Sequence, residues 1–170
     1  FVAESLNTEP DTSLFLCHDI ALMNSSKTLR FSYRFLQLLL GLLFLTTSIG
    51  KLLDNMGFSA ILRTYELFPS SLVMPLALTL SISEFFLGSW IVLNRKTRLC
   101  ANIALGINIF YLLLAVATNL RGLKIPNCGC FGVFLARPMT WMTVIEDIIV
   151  VFFSTTYALL ERRISYREAV

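Results

Sequence analysis

Cys128 and Cys130 stand one glycine apart in the run Arg121-Gly-Leu-Lys-Ile-Pro-Asn-Cys-Gly-Cys-Phe-Gly132. A disulfide between them closes a ring of three residues, for which chain entropy supplies only about 1.6 kcal/mol, roughly half the value for a 15-residue loop. Strain in so small a ring also makes the bond easier to reduce. The spacing suits thiol–disulfide exchange better than stapling. A structural disulfide and unused thiols are the plainer alternatives.

A second set of chemistry-bearing residues lies inside long apolar stretches: Lys51, Glu84, Asn108 and Asp147. Glu84 sits about 19 Å into its stretch at helical rise. An ionised carboxylate at that depth costs about 2.5–3.5 kcal/mol on insertion scales, so it needs a partner, a proton or a role. Counted from the start of each stretch, no cation matches its depth. Glu84 is therefore expected to be buried between helices and protonated, serving an interhelix hydrogen bond or proton or ligand handling. Lys51, near the end of its stretch, is expected to snorkel outward or to pair with Asp54, Glu146 or Asp147. Glu146 and Asp147 are adjacent and point about 100° apart on a helix. Asp147 shares the small, polar face and is expected inward, with Glu146 toward the interface.

What must position these groups follows from composition. Of 170 residues, 56% are hydrophobic and 15% charged, against about 25% charged in a soluble domain. Mean hydropathy is +0.72. Four stretches, 35–53, 72–93, 100–120 and 139–160, meet the roughly 20 apolar residues that a membrane-spanning helix needs. Four isolated segments cannot close a barrel, so helices are the spanning structure. The fold class expected is an all-α integral membrane protein, a four-helix bundle over residues 31–163, with a tail at 1–30 and another at 164–170. Between the first two spans, Phe58, Ile61, Leu62 and Tyr65 recur at helical period, predicting a short interfacial helix. Asn94 to Leu99 leaves room only for a tight hairpin.

Each span offers one stripe of small and polar residues, the kind that packs helices together in lipid. These are Phe44, Thr47, Lys51 and Asp54; Ala77, Ser81, Glu84 and Gly88; Ala104, Asn108, Tyr111, Ala115 and Asn119; and Thr143, Asp147, Val150, Ser154 and Tyr157. Four stripes make one bundle interior.

Lys27, Arg30, Arg34, Arg95, Lys96, Arg98, Arg162, Arg163 and Arg167 flank one side, nine in all, against five on the other: Lys51, Arg63, Arg121, Lys124 and Arg137. The positive-inside rule then puts both termini in the cytoplasm and the Cys128–Cys130 loop outside, where disulfides persist. The net charge of +3 is accounted for by these helix ends and calls for no nucleic acid. Phe1 is not expected to be a translation start, and residues 1–30 lack the basic leader of a signal peptide. A zinc site needs four ligands, and Cys17, His18 and Cys100 fall on the side away from the paired thiols, so no metal is expected. With no Gly-rich phosphate loop, no Ser-His-Asp set and one His, hydrolysis, nucleotide chemistry and haem ligation are disfavoured.

Gly50-Lys51-Leu52, then Phe58, Tyr65 and Pro69, then Glu84-x-x-x-Gly88, Asn119-Leu-Arg-Gly122 and Cys128-Gly-Cys130 form an ordered set. In it the chain resembles the MauE (methylamine utilisation) branch of the DoxX-like family of redox-associated membrane proteins, over about residues 35–160. The resemblance implies four membrane helices and disulfide or redox work. MauE is implicated in maturing a disulfide-rich periplasmic dehydrogenase subunit alongside a thioredoxin-like partner. By the resemblance, Cys128 and Cys130 are the redox pair, and Lys51 and Glu84 belong to the bundle interior. A quinone is implied by family analogy only, since no Cys-x-x-Cys of the vitamin K epoxide reductase type is present. The function expected is a thiol–disulfide redox protein of a bacterial-type cytoplasmic membrane, exchanging electrons with a periplasmic thioredoxin-like partner. The alternative is a non-catalytic subunit of a larger membrane complex.

Overall fold

A computed structural model describes the backbone of residues 12–95 and 97–169, and the side chains of residues 28–95 and 98–166. The described residues form five helices: α1 (Thr12–Leu53), α2 (Asn55–Arg63), α3 (Ser70–Val92), α4 (Thr97–Leu120) and α5 (Trp141–Ala169). Four segments are long and apolar enough to cross a membrane: Thr28–Leu53, Ser70–Val92, Arg98–Leu120 and Trp141–Tyr166. The protein is an all-α, four-span bundle, and α2 is the short helix expected between the first two spans. The first helix differs from expectation at its start. Its membrane-length stretch starts at Thr28 where Phe35 was expected, its backbone is helical from Thr12, and its 42 residues reach about 63 Å at helical rise. Residues 1–11, Lys96 and the side chains of Cys17 and His18, on which some expectations fell, lie outside the described residues.

Around the bundle α1 packs on α3 and α5, and α4 packs on α3 and α5. The tightest seam is α1 on α3. A Cβ on Gly88 would lie 3.0 Å from the Gly41 carbonyl oxygen and from the Leu45 nitrogen, and one on Gly41 would strike Val92 at 2.6 Å. Small residues let the two backbones touch where lipid gives no hydrophobic reward for packing. Asn94, at φ +56°, ends α3. Arg95 N donates to Trp90 O and Asn94 N to Ile91 O, a Schellman cap with Asn in the left-handed position. Gln37 holds this corner by donating to Ile91 O at 2.5 Å and to Asn94 Oδ1 at 3.0 Å.

Two apolar clusters fill the interior. One, at the hairpin end, joins Leu40, Phe44, Leu87, Ile91, Ala104 and Tyr157. The other, at the end bearing the cysteines, joins Phe58, Leu62, Tyr65, Val73, Ala77, Ile125 and Met139. Between them lies a polar layer in which Ser48, Lys51, Ser81, Glu84, Asn108 and Ser154 are buried. The stripe residues Ala77, Ser81, Glu84 and Gly88 of α3 are buried without exception.

Candidate functional site

The stretch 123–140 does not arch away from the bundle. It folds back into it, and the reason is backbone chemistry. Gly122, at φ +67°, ends α4; Gly122 N donates to Asn119 O and Leu123 N to Thr118 O, a second Schellman cap. The chain then pairs with itself: Cys128 N donates to Arg137 O at 2.7 Å and Met139 N to Ile125 O at 2.9 Å. At the tip Asn127 accepts from Gly129 N and donates to Gly132 O. The tip sits on the end of α1, where a Cβ on Gly132 would lie 2.4 Å from the Gly50 carbonyl oxygen. At φ +71° Gly132 is also in the left-handed region that favours glycine. Tyr65 donates its hydroxyl to Cys128 O at 2.7 Å, and burial pushes the phenol well above its usual range, so it stays a donor.

This docking brings the paired thiols over the polar layer. Lys51, Glu84, Asn108, Cys128, Cys130 and Asp147, nominated from the sequence, all line one cavity of about 200 Å³. Its remaining walls are mostly apolar and include Leu43, Phe44, Phe58, Leu62, Leu80, Leu114 and Val150. Cys100 stands apart, buried in the hairpin-end cluster.

Lys51 and Glu84 form an ion pair, which corrects two expectations. Lys51 Nζ lies 2.8 and 2.7 Å from the two Glu84 carboxylate oxygens, with side chains 3% and 1% exposed. Glu84 therefore has a cation, and Lys51 does not snorkel. Depth counted from the start of each span misaligned the two helices. The first turns of α3, at Val73 and Ala77, pack on α2 and the loop, so α3 begins farther out than α1 ends. Two of the three partners expected for Lys51 are engaged elsewhere, and the third, Asp147, makes no ion pair among the described residues. Asp54 caps α2 by accepting from Gly57 N at 2.8 Å. Glu146 pairs with Arg137 at 2.5 Å, both partly exposed.

Tyr111 completes the group and was named from the sequence only as a stripe residue. Its hydroxyl donates to Glu84 and accepts from Lys51 Nζ at 3.3 Å. The ammonium also lies 5.3 Å from the Phe58 ring centre and 5.0 Å from that of Tyr111, where the ring faces favour a cation. The signal that could have found Tyr111 is its place one turn beyond Asn108 on the inward stripe. Asn108 itself donates to Ser154 at 2.6 Å, bridging α4 and α5.

Cys128 and Cys130 are both free thiols, Cys128 buried and Cys130 partly so. They are chemically unequal. The Cys130 thiol hydrogen-bonds to Cys128, and against the opposing effect of burial this, with the Cys130 backbone N–H, brings Cys128 from the usual 9 down to about 7. That N–H lies 3.4 Å from Cys128 Sγ. The same thiol contact, reinforced by burial, pushes Cys130 up. The two shifts favour a thiolate at Cys128 beside a protonated thiol at Cys130. All three Lys51 protons and the Tyr111 proton are directed within the Lys51–Glu84–Tyr111 group. Among the described residues no His/Cys/Asp/Glu group could hold a metal.

The family model of methylamine utilisation protein MauE matches residues 29–160. Among curated proteins, the methylamine utilization protein MauE of Paracoccus denitrificans is 26% identical over 114 residues, 67% of this chain and 61% of that protein. The chain thus matches under two thirds of that relative's length. No solved structure matches. The family match covers most of each of the four spans, the Lys51–Glu84 pair and the Cys-Gly-Cys loop, and the chain belongs to the MauE family.

Proposed function

We propose that this protein is a membrane-embedded thiol–disulfide redox component in which Cys128 and Cys130 exchange electrons with a thioredoxin-like protein on the outer side of the membrane. The observation that carries it is the placement of both thiols on one cavity, with the Cys130 backbone N–H on the Cys128 sulfur, a contact that lowers the Cys128 pKa. The thiolate is the nucleophile in disulfide exchange, and an attacking thiol performs best with a pKa near ambient pH. Cys128 attacks one sulfur of the partner's disulfide and the other sulfur leaves as a thiolate. Cys130 then displaces the second, so the partner is reduced and the Cys-Gly-Cys ring is oxidised. The reverse sequence reduces the ring.

The nine-to-five charge distribution supports placing this loop on the periplasmic side of a bacterial-type membrane. The wider kinship to DoxX-like proteins belongs to the same proposal and rests on the ordered set that runs from Gly50-Lys51-Leu52 to Cys128-Gly-Cys130. Methylamine as a substrate is no part of it. The test is the redox state of the pair in native membranes, read by gel shift after trapping with a bulky maleimide. A pair that shifts between dithiol and disulfide when the thioredoxin-like partner is removed supports exchange. A pair fixed in one state whatever the partner's level supports the accessory-subunit alternative instead.

A further inference from the structure

Ring closure requires that Cys130 lose its proton; with Cys128 tied up in the mixed disulfide its contact no longer holds that proton, but burial still opposes the thiolate, so the step calls for a base beside it in the cavity. Three carboxylates line the cavity that the thiols share. Glu84 is held by Lys51 and Tyr111, and Glu146 by Arg137. Asp147 has neither an ion pair nor a hydrogen bond among the described residues, and it is partly buried. The groups facing this space come from every element around it: Lys51 from α1, Tyr65 after α2, Glu84 from α3, Tyr111 from α4, Arg137 from the loop and Glu146 beside Asp147 on α5. Of these, Asp147 alone is an uncommitted base. The Tyr65 proton is on the Cys128 carbonyl. The cavity, at about 200 Å³, has room for a water between thiol and carboxylate.

We infer that Asp147 is the proton acceptor for Cys130 in the step that closes the Cys-Gly-Cys ring, an assignment that rests on the exchange function proposed above. In the mixed disulfide between Cys128 and the partner, the Cys130 proton passes to the Asp147 carboxylate, directly or through one water. The freed electron pair on the Cys130 sulfur attacks the Cys128 sulfur. The Cys128–Cys130 bond forms, the bond to the partner breaks, and the partner departs as a thiolate. The oxidant is the partner's disulfide. In the reverse direction Asp147 returns the proton to Cys130.

The test uses the full chain in lipid nanodiscs with Cys17→Ser and Cys100→Ser, reduced, then mixed with one equivalent of 4,4′-dithiodipyridine, so that no free reagent is left to react with Cys130. Attack by Cys128 releases one thiopyridone, and ring closure by Cys130 releases a second, so the two steps are separate optical phases. A positioned general base contributes on the order of 10²-fold or more. Asp147→Asn is expected to slow the second phase at least tenfold at pH 7. The first phase should be unchanged or faster, since a negative charge that disfavours the Cys128 thiolate is gone. Asp147→Glu is expected to restore the second phase to within a few-fold of the parent. A second phase unaffected by Asp147→Asn overturns the assignment, as does equal slowing of both phases. A parent protein with no second phase at all overturns the exchange function itself.

Discussion

Removing the charge from Glu84 leaves an ammonium sealed inside the bundle, and the size of the penalty follows from the geometry. Lys51 Nζ is within 2.8 Å of both carboxylate oxygens and 3% exposed. Two unit charges near 4 Å interact by about 4 kcal/mol at an effective dielectric of 20, in line with the roughly 3–5 kcal/mol lost when one partner of a buried pair is removed. Glu84→Gln and Lys51→Met are each expected to destabilise the bundle by about 3–5 kcal/mol. The double variant Lys51→Met, Glu84→Gln should recover most of that, because no charge is left without its partner. Reversible unfolding in mixed detergent–lipid micelles gives the four corners of a double-mutant cycle. A coupling of about 2 kcal/mol or more is expected. Additive single effects, or a Glu84→Gln variant as stable as the parent, would refute the reasoning and revive a protonated Glu84.

Alkylation of Cys128 by iodoacetamide should rise with pH about a midpoint near 7 instead of 9, and Cys130→Ala should move that midpoint up by removing the thiol donor; mass spectrometry of the labelled peptide reads both. Gly132→Ala should free the loop tip, since its Cβ would meet the Gly50 carbonyl oxygen at 2.4 Å with φ at +71°. The left-handed backbone alone costs about 1–2 kcal/mol, and faster alkylation of Cys130 is the readout. In a background lacking the native cysteines, a probe at Lys124 should be labelled by a membrane-impermeant maleimide from outside and one at Arg163 from the cytoplasm. Labelling of both from one side would move the thiols into a reducing compartment.

The inward faces of the spans were legible in the sequence because lipid rewards only small and polar residues at helix contacts. Ser81, Ala104 and Ser154 are all 0% exposed in the bundle. The gathering of Lys51, Glu84, Asn108 and Asp147 toward one interior follows from those stripes. The pairing of Lys51 with Glu84 does not, because vertical register depends on how far α2 and the loop set α3 outward of α1. The inward fold of the loop was equally hidden. It depends on backbone contact between Gly50 and Gly132, 82 positions apart by their numbers (132 − 50), which no local pattern encodes. In hindsight, the glycines beside Lys51 and after Arg121 are the trace that geometry left in the sequence.

The central claim is that Cys128 attacks a partner's disulfide and Cys130 resolves it, and mixed-disulfide capture tests it most directly. Cys130→Ser is expected to accumulate an adduct with a thioredoxin-like protein in native membranes, because the attacking thiolate remains and its resolving thiol is gone. The adduct should dissolve on reduction and be absent when Cys128→Ser is added. A Cys130→Ser protein that captures no partner, together with full function of the Cys128→Ser, Cys130→Ser protein, would contradict the account and leave the bundle as a structural subunit.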